Sequence, residues 1–157
     1  MNAQSVDHAV IILALQNIEN VAGTLAECKR VLKPNGILSL VLNHPAFRIS
    51  KASSWGYDEI NRVQYRRIDA YLSESKVKIA MHPGAKPSEH TVSFHRPLQY
   101  YMKALHTAGF ALTRLEEWNS HKHSVGAKAK AENEARKQIP LFLYLEGAIL
   151  GPEQKVA

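Results

Sequence analysis

The sequence predicts an α/β fold with a parallel sheet, organised around a strand, helix, strand unit near its amino end. Residues 10–15 and 37–43 are almost continuously apolar, which is typical of strands buried on both faces of a parallel sheet. Residues 21–32 between them carry apolar side chains at spacings of three and four, which predicts a helix with one apolar stripe. A right-handed crossover then lays the two strands side by side.

The ends of this first helix carry the usual signals. Asn20 is the expected N-cap, because its side chain can accept a hydrogen bond from the first turn. Lys33 is expected in the last turn, where a cation suits the negative helix end. Pro34, Asn35 and Gly36 are then expected to end the helix.

The middle of the chain has a weaker pattern. Residues 46–56 read as a loop, and residues 57–72 show roughly helical spacing, with a strand over 64–72 as the open alternative. Residues 76–81 and 90–95 alternate in polarity, which predicts a two-stranded hairpin joined by HPGAKPSE.

The last third returns to regular elements. A second helix is predicted with Pro97 in its first turn and Gly109 just past its end. A strand over residues 110–118 follows, then a polar connection with some helix over 119–138. Residues 139–149 form the last predicted strand.

Four short sequence motifs occur in this chain in an order that is known from one family of proteins. They are D-x-A-x-x-I-L-A-L-Q-N, AECKRVLKPNGILSLVLN, H-R-P-L-x-x-Y and A-L-x-x-A-G-F. This set resembles the second half of class I S-adenosylmethionine-dependent methyltransferases, in particular the type 11 group, with Asn35 where that family has a glycine. The resemblance implies an incomplete Rossmann-like methyltransferase sheet, an antiparallel closing strand between the fifth and sixth strands, and an inserted lid.

The resemblance also implies a domain organisation. Residues 1–157 correspond to the carboxyl-terminal part of the domain, with residues 45–95 as a lid that selects the substrate and 119–138 as a flexible connection. The family's glycine-rich cofactor turn precedes this part, and no two of the eight glycines here are spaced for a G-x-G turn. We therefore expect a truncated domain that is inactive as the isolated chain. Its first strand should expose an edge that pairs with a second copy or a partner chain.

The function implied by the resemblance is methyl transfer from S-adenosylmethionine, as cofactor, to a small molecule. A different class of function stays open, namely a non-catalytic half-domain that completes its sheet with a partner chain. A nicotinamide-dependent dehydrogenase fits less well, because the dinucleotide glycine turn is missing and the K-P-x-G turn is not its pattern.

Histidines are the candidates for the base that methyl transfer to a hydroxyl or amine needs. His44 directly follows the second strand, at the sheet edge where ligands bind, with a local hydrogen-bonding role as the alternative. His95 ends the lid hairpin, with a helix-capping role as the alternative. His121 and His123 form a His-x-His pair without a third ligand, so no metal site is predicted.

Two further sets of binding residues are expected. By resemblance, the loop after the first strand contacts the cofactor, largely through its backbone, and comprises Leu15, Gln16 and Asn17. Aromatic side chains in and after the lid could line a substrate pocket, with packing of the lid itself as the alternative. These are Trp55, Tyr57, Tyr65 and Tyr100.

Composition sets outer limits on partners and location. A net charge of +6 permits an anionic partner, but the densest basic stretch, 121–137, also contains Glu132 and Glu134. It is therefore interpreted as a solvated face rather than a nucleic-acid site. No apolar run is long enough for a membrane helix and no secretion signal is recognised, so a cytoplasmic location is expected. Cys28 lies on the helix stripe and is expected to be a small core residue.

Overall fold

A computed structural model describes residues 1–80 and 90–151 of the chain. Its elements, in chain order, are β1 (Val6–Ile12), a 3₁₀ turn (Leu15–Asn17), α1 (Val21–Val31), β2 (Leu32–Asn43), β3 (Ser53–Asp58), β4 (Val63–Ile68), β5 (Ser75–Ala80), β6 (His90–His95), α2 (Leu98–Thr107), β7 (Phe110–Trp118), α3 (Ala129–Gln138) and β8 (Phe142–Ile149).

The main sheet has four strands in the order β1-β2-β8-β7. β1 runs parallel to β2, and β8 runs antiparallel to both of its neighbours, β2 and β7. In the middle of the sheet Leu40 is in register with Ile11 on one side and Leu145 on the other. The α/β fold and the position of the antiparallel closing strand are therefore confirmed.

The first strand differs from its prediction in position and burial. It spans Val6–Ile12, whereas residues 10–15 were predicted, and Leu15 lies instead in the 3₁₀ turn with its side chain fully buried. Val10 and Ile12 are 54% and 63% exposed. Burial of this strand on both faces is therefore wrong for the described structure, because no element there covers the side to which these two residues point.

The amino end of α1 is as predicted, and its carboxyl end is not. Asn20 Oδ1 accepts a hydrogen bond from the Gly23 amide at 2.8 Å, which confirms the N-cap. The helix ends at Val31, so Lys33 is outside the last turn and binds Asp7 with Nζ to Oδ1 at 2.8 Å.

The KPNG word begins β2 instead of ending the helix. The register passes from Val6 opposite Leu32 to His8 opposite Ile37, so residues 33–36 form a bulge. A Cβ on Gly36 would lie 2.8 Å from Leu32 Cδ2. The glycine is therefore needed for close packing against the strand's own first residue.

The hydrophobic core lies on one face of the main sheet. Leu38, Leu40 and Leu42 of β2 are each fully buried, and β8 adds leucines that are nearly so. Both α1 and α2 pack onto this face. The core side chains that they and β8 contribute are Val21, Leu25, Tyr101, Leu105, Leu143 and Leu145.

The segment after β2 was predicted wrongly. β3 and β4 form an antiparallel hairpin where residues 46–56 were expected as a loop and residues 57–72 as a helix. The strand alternative for residues 64–72 overlaps β4. Tyr65 lies across from Gly56, and its ring occupies the space where a Cβ at Gly56 would stand, so the glycine lets the ring pack over the hairpin.

The later elements agree more closely with the sequence. β5 and β6 pair antiparallel as predicted, and the whole HPGAKPSE connection, residues 82–89, lies outside the described residues. Pro97 is the N-cap of α2, one residue before its first turn, and Gly109 follows the helix with φ +83°. β7 matches the predicted bounds, and α3 supplies the helix expected within residues 119–138. In residues 1–80 and 90–151, no helix has the length and hydrophobicity needed to span a membrane.

Candidate functional site

The candidate site lies at the edge of the main sheet where β1, β2 and β7 end. Parallel strands carry ligand sites at their carboxyl ends in open α/β sheets. β8 starts at this same edge, since Phe142 is opposite Asn43 on one side and Trp118 on the other. The residues that follow β1 and β2, together with the residues that precede β8, therefore converge here.

The turn after β1 brings a buried amide to this edge. Leu13 has φ 51°, which redirects the chain into the 3₁₀ turn and buries Leu15 in the core. Gln16 is 7% exposed, and its Nε2 donates to the Leu13 carbonyl at 2.7 Å. Gln16 Oε1 is buried and has no hydrogen-bond partner among the described residues. Asn17, by contrast, is exposed.

Arg96 holds this turn in place. It is 5% exposed, and its Nη2 donates to the carbonyls of Ile18 and Glu19 at 3.1 and 2.9 Å. Its guanidinium lies 4.9 Å from the ring centre of Phe94 and 5.1 Å from that of Tyr100. Its Nη1 atom is buried without a partner in the described part of the chain. The sequence interpretation missed Arg96, although its position between His95 and Pro97 in the H-R-P word was the available signal.

A narrow edge cleft is formed between this turn, the end of β2, and the end of β6. We define it by Gln16, Asn43, Arg48, His95, Arg96 and Tyr101. Its volume of about 20 Å³ admits roughly one water molecule. Burial raises the pKa of Tyr101 and nearby Arg96 partly offsets this, so the phenol stays protonated at neutral pH. Gln16 and Arg96 both line this cleft, and each has one buried polar atom, the acceptor Oε1 and the donor Nη1, without a hydrogen-bond partner among the described residues.

His95 reaches the edge cleft with a defined tautomer. The ring is 7% exposed, and Nε2 lies 2.8 Å from the Tyr71 carbonyl oxygen, which can only accept. Nε2 therefore carries the proton, and Nδ1 of the neutral ring is an acceptor. Tyr71 is itself fixed, because its hydroxyl accepts a hydrogen bond from the Leu98 amide at 3.1 Å.

His44 has no free ring nitrogen. It is 4% exposed, with Nδ1 accepting from the Ala46 amide at 3.1 Å. Nε2 lies 2.8 Å from Glu117 Oε1 and donates to it, so the pair ties the end of β2 to β7. The ring also packs at 4.8 Å from Phe47. This geometry favours the local hydrogen-bonding role over that of a base.

The predicted aromatic residues do not line a single pocket. Trp55 and Tyr57 are on one face of β3, and Tyr65 is on the opposite face of the hairpin, half exposed over Gly56. Tyr57 borders a cleft of about 610 Å³ between the hairpin and α3, where Lys128 Nζ lies 4.1 Å from its ring centre. Tyr100 packs on Arg96 beside the edge cleft.

A second cleft at the sheet edge is basic. We call it the basic cleft and define it by Arg48, Trp55, Arg66, Lys122, Arg136 and Phe142, around a volume of about 260 Å³. Arg48 borders both this cleft and the edge cleft. The sequence interpretation missed it, because its cations come from four separate segments. In the described ranges no cluster of three or more His, Cys, Asp or Glu side chains could hold a metal ion.

Comparison with known proteins points to a single kind of protein. A family model described as a methyltransferase domain matches residues 1–40. An S-adenosylmethionine dependent methyltransferase from Mesorhizobium loti superimposes with a TM-score of 0.70 at 27% identity, over 94% of this chain and 64% of its own. A proposed S-adenosylmethionine dependent methyltransferase from Listeria monocytogenes gives a TM-score of 0.73 at 20% identity, over 96% and 64%.

A third solved structure adds a complex. A chain in the complex between the Haloferax volcanii Trm112 methyltransferase activator and a proposed methyltransferase matches with a TM-score of 0.57 at 17% identity, over 96% of this chain and 57% of its own. No curated protein matches the sequence. The chain thus spans 64% of the length of each of the first two structures. The resemblance to class I S-adenosylmethionine-dependent methyltransferases is confirmed, as is the Rossmann-like methyltransferase fold.

Proposed function

We propose that this chain, which has the class I S-adenosylmethionine-dependent methyltransferase fold, takes part in methyl transfer from S-adenosylmethionine to a small molecule. Residues 1–157 would form the carboxyl-terminal part of the catalytic domain. The observation that carries the proposal is the edge cleft, where Gln16 Oε1 and Arg96 Nη1 are both buried and unsatisfied within the described residues. This cleft lies where the residues matched by the family model reach the carboxyl end of β1.

The residues present fit one side of the proposed cofactor. The 3₁₀ turn of Leu15, Gln16 and Asn17 would contact it, mainly with backbone groups and with the amide oxygen of Gln16, which has no partner among the described residues. Leu15 is fully buried and would support the turn from the core, whereas the exposed Asn17 side chain is available to a ligand. When bound, S-adenosylmethionine supplies an electrophilic methyl group on a sulfonium ion.

His95 is the better of the two candidates for the base. The Tyr71 carbonyl orients its ring, and Nδ1 is left as the acceptor that could take a proton from a hydroxyl or amine of the substrate. His44 would position the sheet edge through Glu117, because both of its ring nitrogens are already hydrogen bonded.

The segments above the sheet edge would select the substrate. Residues 45–95 are proposed as the lid and 119–138 as the flexible connection beside it. Trp55 faces the basic cleft and is the best placed of the aromatic residues to touch a substrate. Tyr57, Tyr65 and Tyr100 would act mainly by packing the lid. A cytoplasmic location is part of the same proposal.

The catalytic unit would also need polypeptide beyond β1. Val10 and Ile12 are exposed on a strand that has β2 as its sole partner in residues 1–80 and 90–151. We infer that either more of the same protein or a second chain covers them. The same observation favours the other candidate function, a non-catalytic half-domain that completes its sheet with a partner chain.

Calorimetric titration with S-adenosylhomocysteine tests the proposal. The 157-residue chain should bind weakly or not at all, and the product of an upstream-extended reading frame should bind. In the extended protein Gln16→Ala should weaken binding, while Gln138→Ala, at the end of α3, should not. Tight binding by the short chain would show that the cofactor is held elsewhere. No binding by either form, together with a stable complex with another protein, would establish the half-domain function.

A pH profile of methyl transfer separates the two histidines. In the extended enzyme His95→Gln should lower kcat and remove the acidic limb of the profile, because the proton acceptor is lost. His44→Gln should lower stability and leave the shape of the profile unchanged. Loss of the acidic limb in His44→Gln, with an unchanged profile in His95→Gln, would contradict the proposal that His95 is the base.

A further inference from the structure

The basic cleft collects positive charge from four separate parts of the fold. Arg48 follows β2, Arg66 lies on β4, Lys122 lies between β7 and α3, and Arg136 lies on α3. Repulsion among such groups is unfavourable unless an anion is bound or solvent screens them. Burial lowers the pKa of Arg48, and burial together with repulsion from Arg48 lowers the pKa of Arg66.

The positive charges of this cleft have little carboxylate compensation. Ion pairs such as Lys33 with Asp7 and Lys76 with Glu19 neutralise charges elsewhere on the chain. In the part of the chain that the structure describes, Arg48, Arg66 and Lys122 have no ion pair.

Arg136 and Arg66 are held in place by neutral groups. Arg136 donates Nη2 to Ser124 Oγ at 3.1 Å, and its one carboxylate contact is Glu132 at 4.0 Å. Its Nε is buried without a partner among the described residues. Arg66 donates Nε to the Phe47 carbonyl and Nη2 to Ser53 Oγ, both at 2.7 Å. The contacts of Arg66 fix its guanidinium group and leave its charge uncompensated, whereas the charge of Arg136 is offset only by Glu132 at 4.0 Å.

Two aromatic faces orient the guanidinium groups. Arg66 lies 5.0 Å from the ring centre of Trp55, and Arg48 lies 5.1 Å from that of Phe142. Stacking of this kind orders arginine side chains without consuming their hydrogen-bond donors. The remaining N–H groups of the cleft are therefore available to an acceptor with several oxygens.

We propose that the basic cleft binds the phosphate group of a phosphorylated small molecule. Phosphate suits the site better than a carboxylate, because a dianion with several acceptor oxygens matches two or three arginine groups and a lysine. Arg48 borders the edge cleft as well, so a phosphate held here would place the rest of the molecule beside Gln16 and His95. The identification of this molecule as the methyl acceptor rests on the proposed function; the phosphate site does not.

The fluorescence of Trp55 provides a direct test. The chain has two tryptophans, so Trp118→Phe leaves Trp55 as the only reporter in the cleft. Glycerol 3-phosphate, glycerate and glycerol are titrated at constant ionic strength, because they differ mainly in the acidic group. We expect the fluorescence of Trp55 to change saturably with glycerol 3-phosphate and not to change with glycerol. Glycerate should bind at least about tenfold more weakly than glycerol 3-phosphate, a difference of about 1.4 kcal/mol in binding free energy.

Charge variants locate the binding. Arg48→Gln combined with Lys122→Gln should weaken glycerol 3-phosphate binding at least about tenfold, since each removed cation takes away a charge-assisted contact. Arg67→Gln is the matched control, because Arg67 neighbours Arg66 in sequence but is exposed and paired with Asp69. It should change affinity less than about twofold. If the double variant does not fold by circular dichroism, Arg136→Gln takes its place.

Three results would overturn the phosphate site. These are equal losses in Arg67→Gln and the double variant, equal affinity for glycerate, and the absence of saturable binding. Much tighter binding of a single-stranded oligonucleotide would replace it with a nucleic-acid site. The titration contains no S-adenosylmethionine, so it tests the phosphate site independently of methyl transfer. Phosphate binding by an extended protein that transfers no methyl group would refute the proposed function alone. Methyl transfer without phosphate binding would refute the phosphate site alone.

Discussion

The two faces of the main sheet are built from the same strands, but other elements bury one face and leave the other largely exposed. On one face Leu38, Leu40 and Leu42 are fully buried beneath α1 and α2, whereas on the other Val10 and Ile12 are 54% and 63% exposed. Right-handed crossovers that step across a sheet in one direction place their helices on the same side. β1 to β2 and β2 to β7 are two steps in the same direction, and residues 1–80 and 90–151 contain no step in the opposite direction that would cover the other face.

The open face compensates in part with a chain of polar groups across three strands. A hydrogen bond of 2.8 Å joins His8 Nε2 to Ser39 Oγ, and one of 3.0 Å joins Ser39 Oγ to the Tyr144 hydroxyl. Tyr144 donates to Glu146 Oε2 at 2.9 Å, and its ring stacks on Trp118 at 5.2 Å. The two faces thus show that an apolar side chain stabilises this sheet only where other elements pack over it, whatever the composition of the strand.

The strongest test of that difference compares one side chain from each face. Leu40→Ala should lower the free energy of unfolding by about 3 kcal/mol, because it opens a cavity in a fully buried position. Ile12→Ala should cost less than about 1 kcal/mol, since most of that side chain is already in water. Urea denaturation of both variants measures the two values. Equal losses would mean that the open face is covered in solution.

Self-association should depend on the open face and the β1 edge. We expect the isolated chain to form dimers or larger species, and Ile12→Lys to weaken this association by about tenfold, because a charged side chain opposes edge pairing. Ile60→Lys is the control, since Ile60 is 92% exposed in the β3–β4 turn. Light scattering and sedimentation measure the change. A monomeric wild-type chain with a cooperative melt would contradict the expectation.

The polar chain on the open face should contribute less than the core. Ser39 is 4% exposed, and Ser39→Ala should cost about 1–2 kcal/mol, because His8 and Tyr144 both lose a partner. The double variant with Tyr144→Phe should cost less than the two single changes added together, since the groups share one network. A double-mutant cycle by urea denaturation determines this; strict additivity would show that the groups act independently.

The smallest expected effect is a shift in acidity. Hydrogen bonds from Tyr144 and then Thr113 lower the pKa of Glu146 from its ordinary value. The resulting stabilisation is present above the unfolded pKa of about 4.3 and is lost as pH falls through the lower folded pKa. Tyr144→Phe should raise the pKa of Glu146 in a carboxyl-carbon NMR titration. Thr113→Val should raise it less, and no change in either variant would contradict the assignment.

Local signals in the sequence predicted the sheet better than they predicted the site. Asn20 and the flanking apolar runs act over a few residues, so the first strand, helix, strand unit could be expected from local signals. The antiparallel direction of β8 was expected only from the family resemblance. The β3–β4 hairpin could not be expected, because it is formed by cross-strand pairs, such as Tyr65 with Gly56, whose members are separated in the sequence. The apolar spacing in that stretch fits a helix and a strand about equally.

The site was predicted in parts. Gln16 and His95 were both expected near a ligand, and the structure brings them into one cleft. Arg96 was missed because a buried arginine is identified by its partners, and these are backbone carbonyls that leave no trace in the sequence. The basic cleft leaves no signal along consecutive residues, because Arg48 and Arg136 meet only after folding.

The antiparallel strand in the middle of the sheet has a consequence for synthesis. β2 is complete at Asn43, but its neighbour β8 begins at Phe142, so nearly a hundred residues separate them along the chain. A ribosome adds about 5–20 residues per second. The leucines of β2 are therefore without their β8 neighbours for about 5–20 s during synthesis. A chaperone would have its best opportunity to bind the nascent chain in this interval.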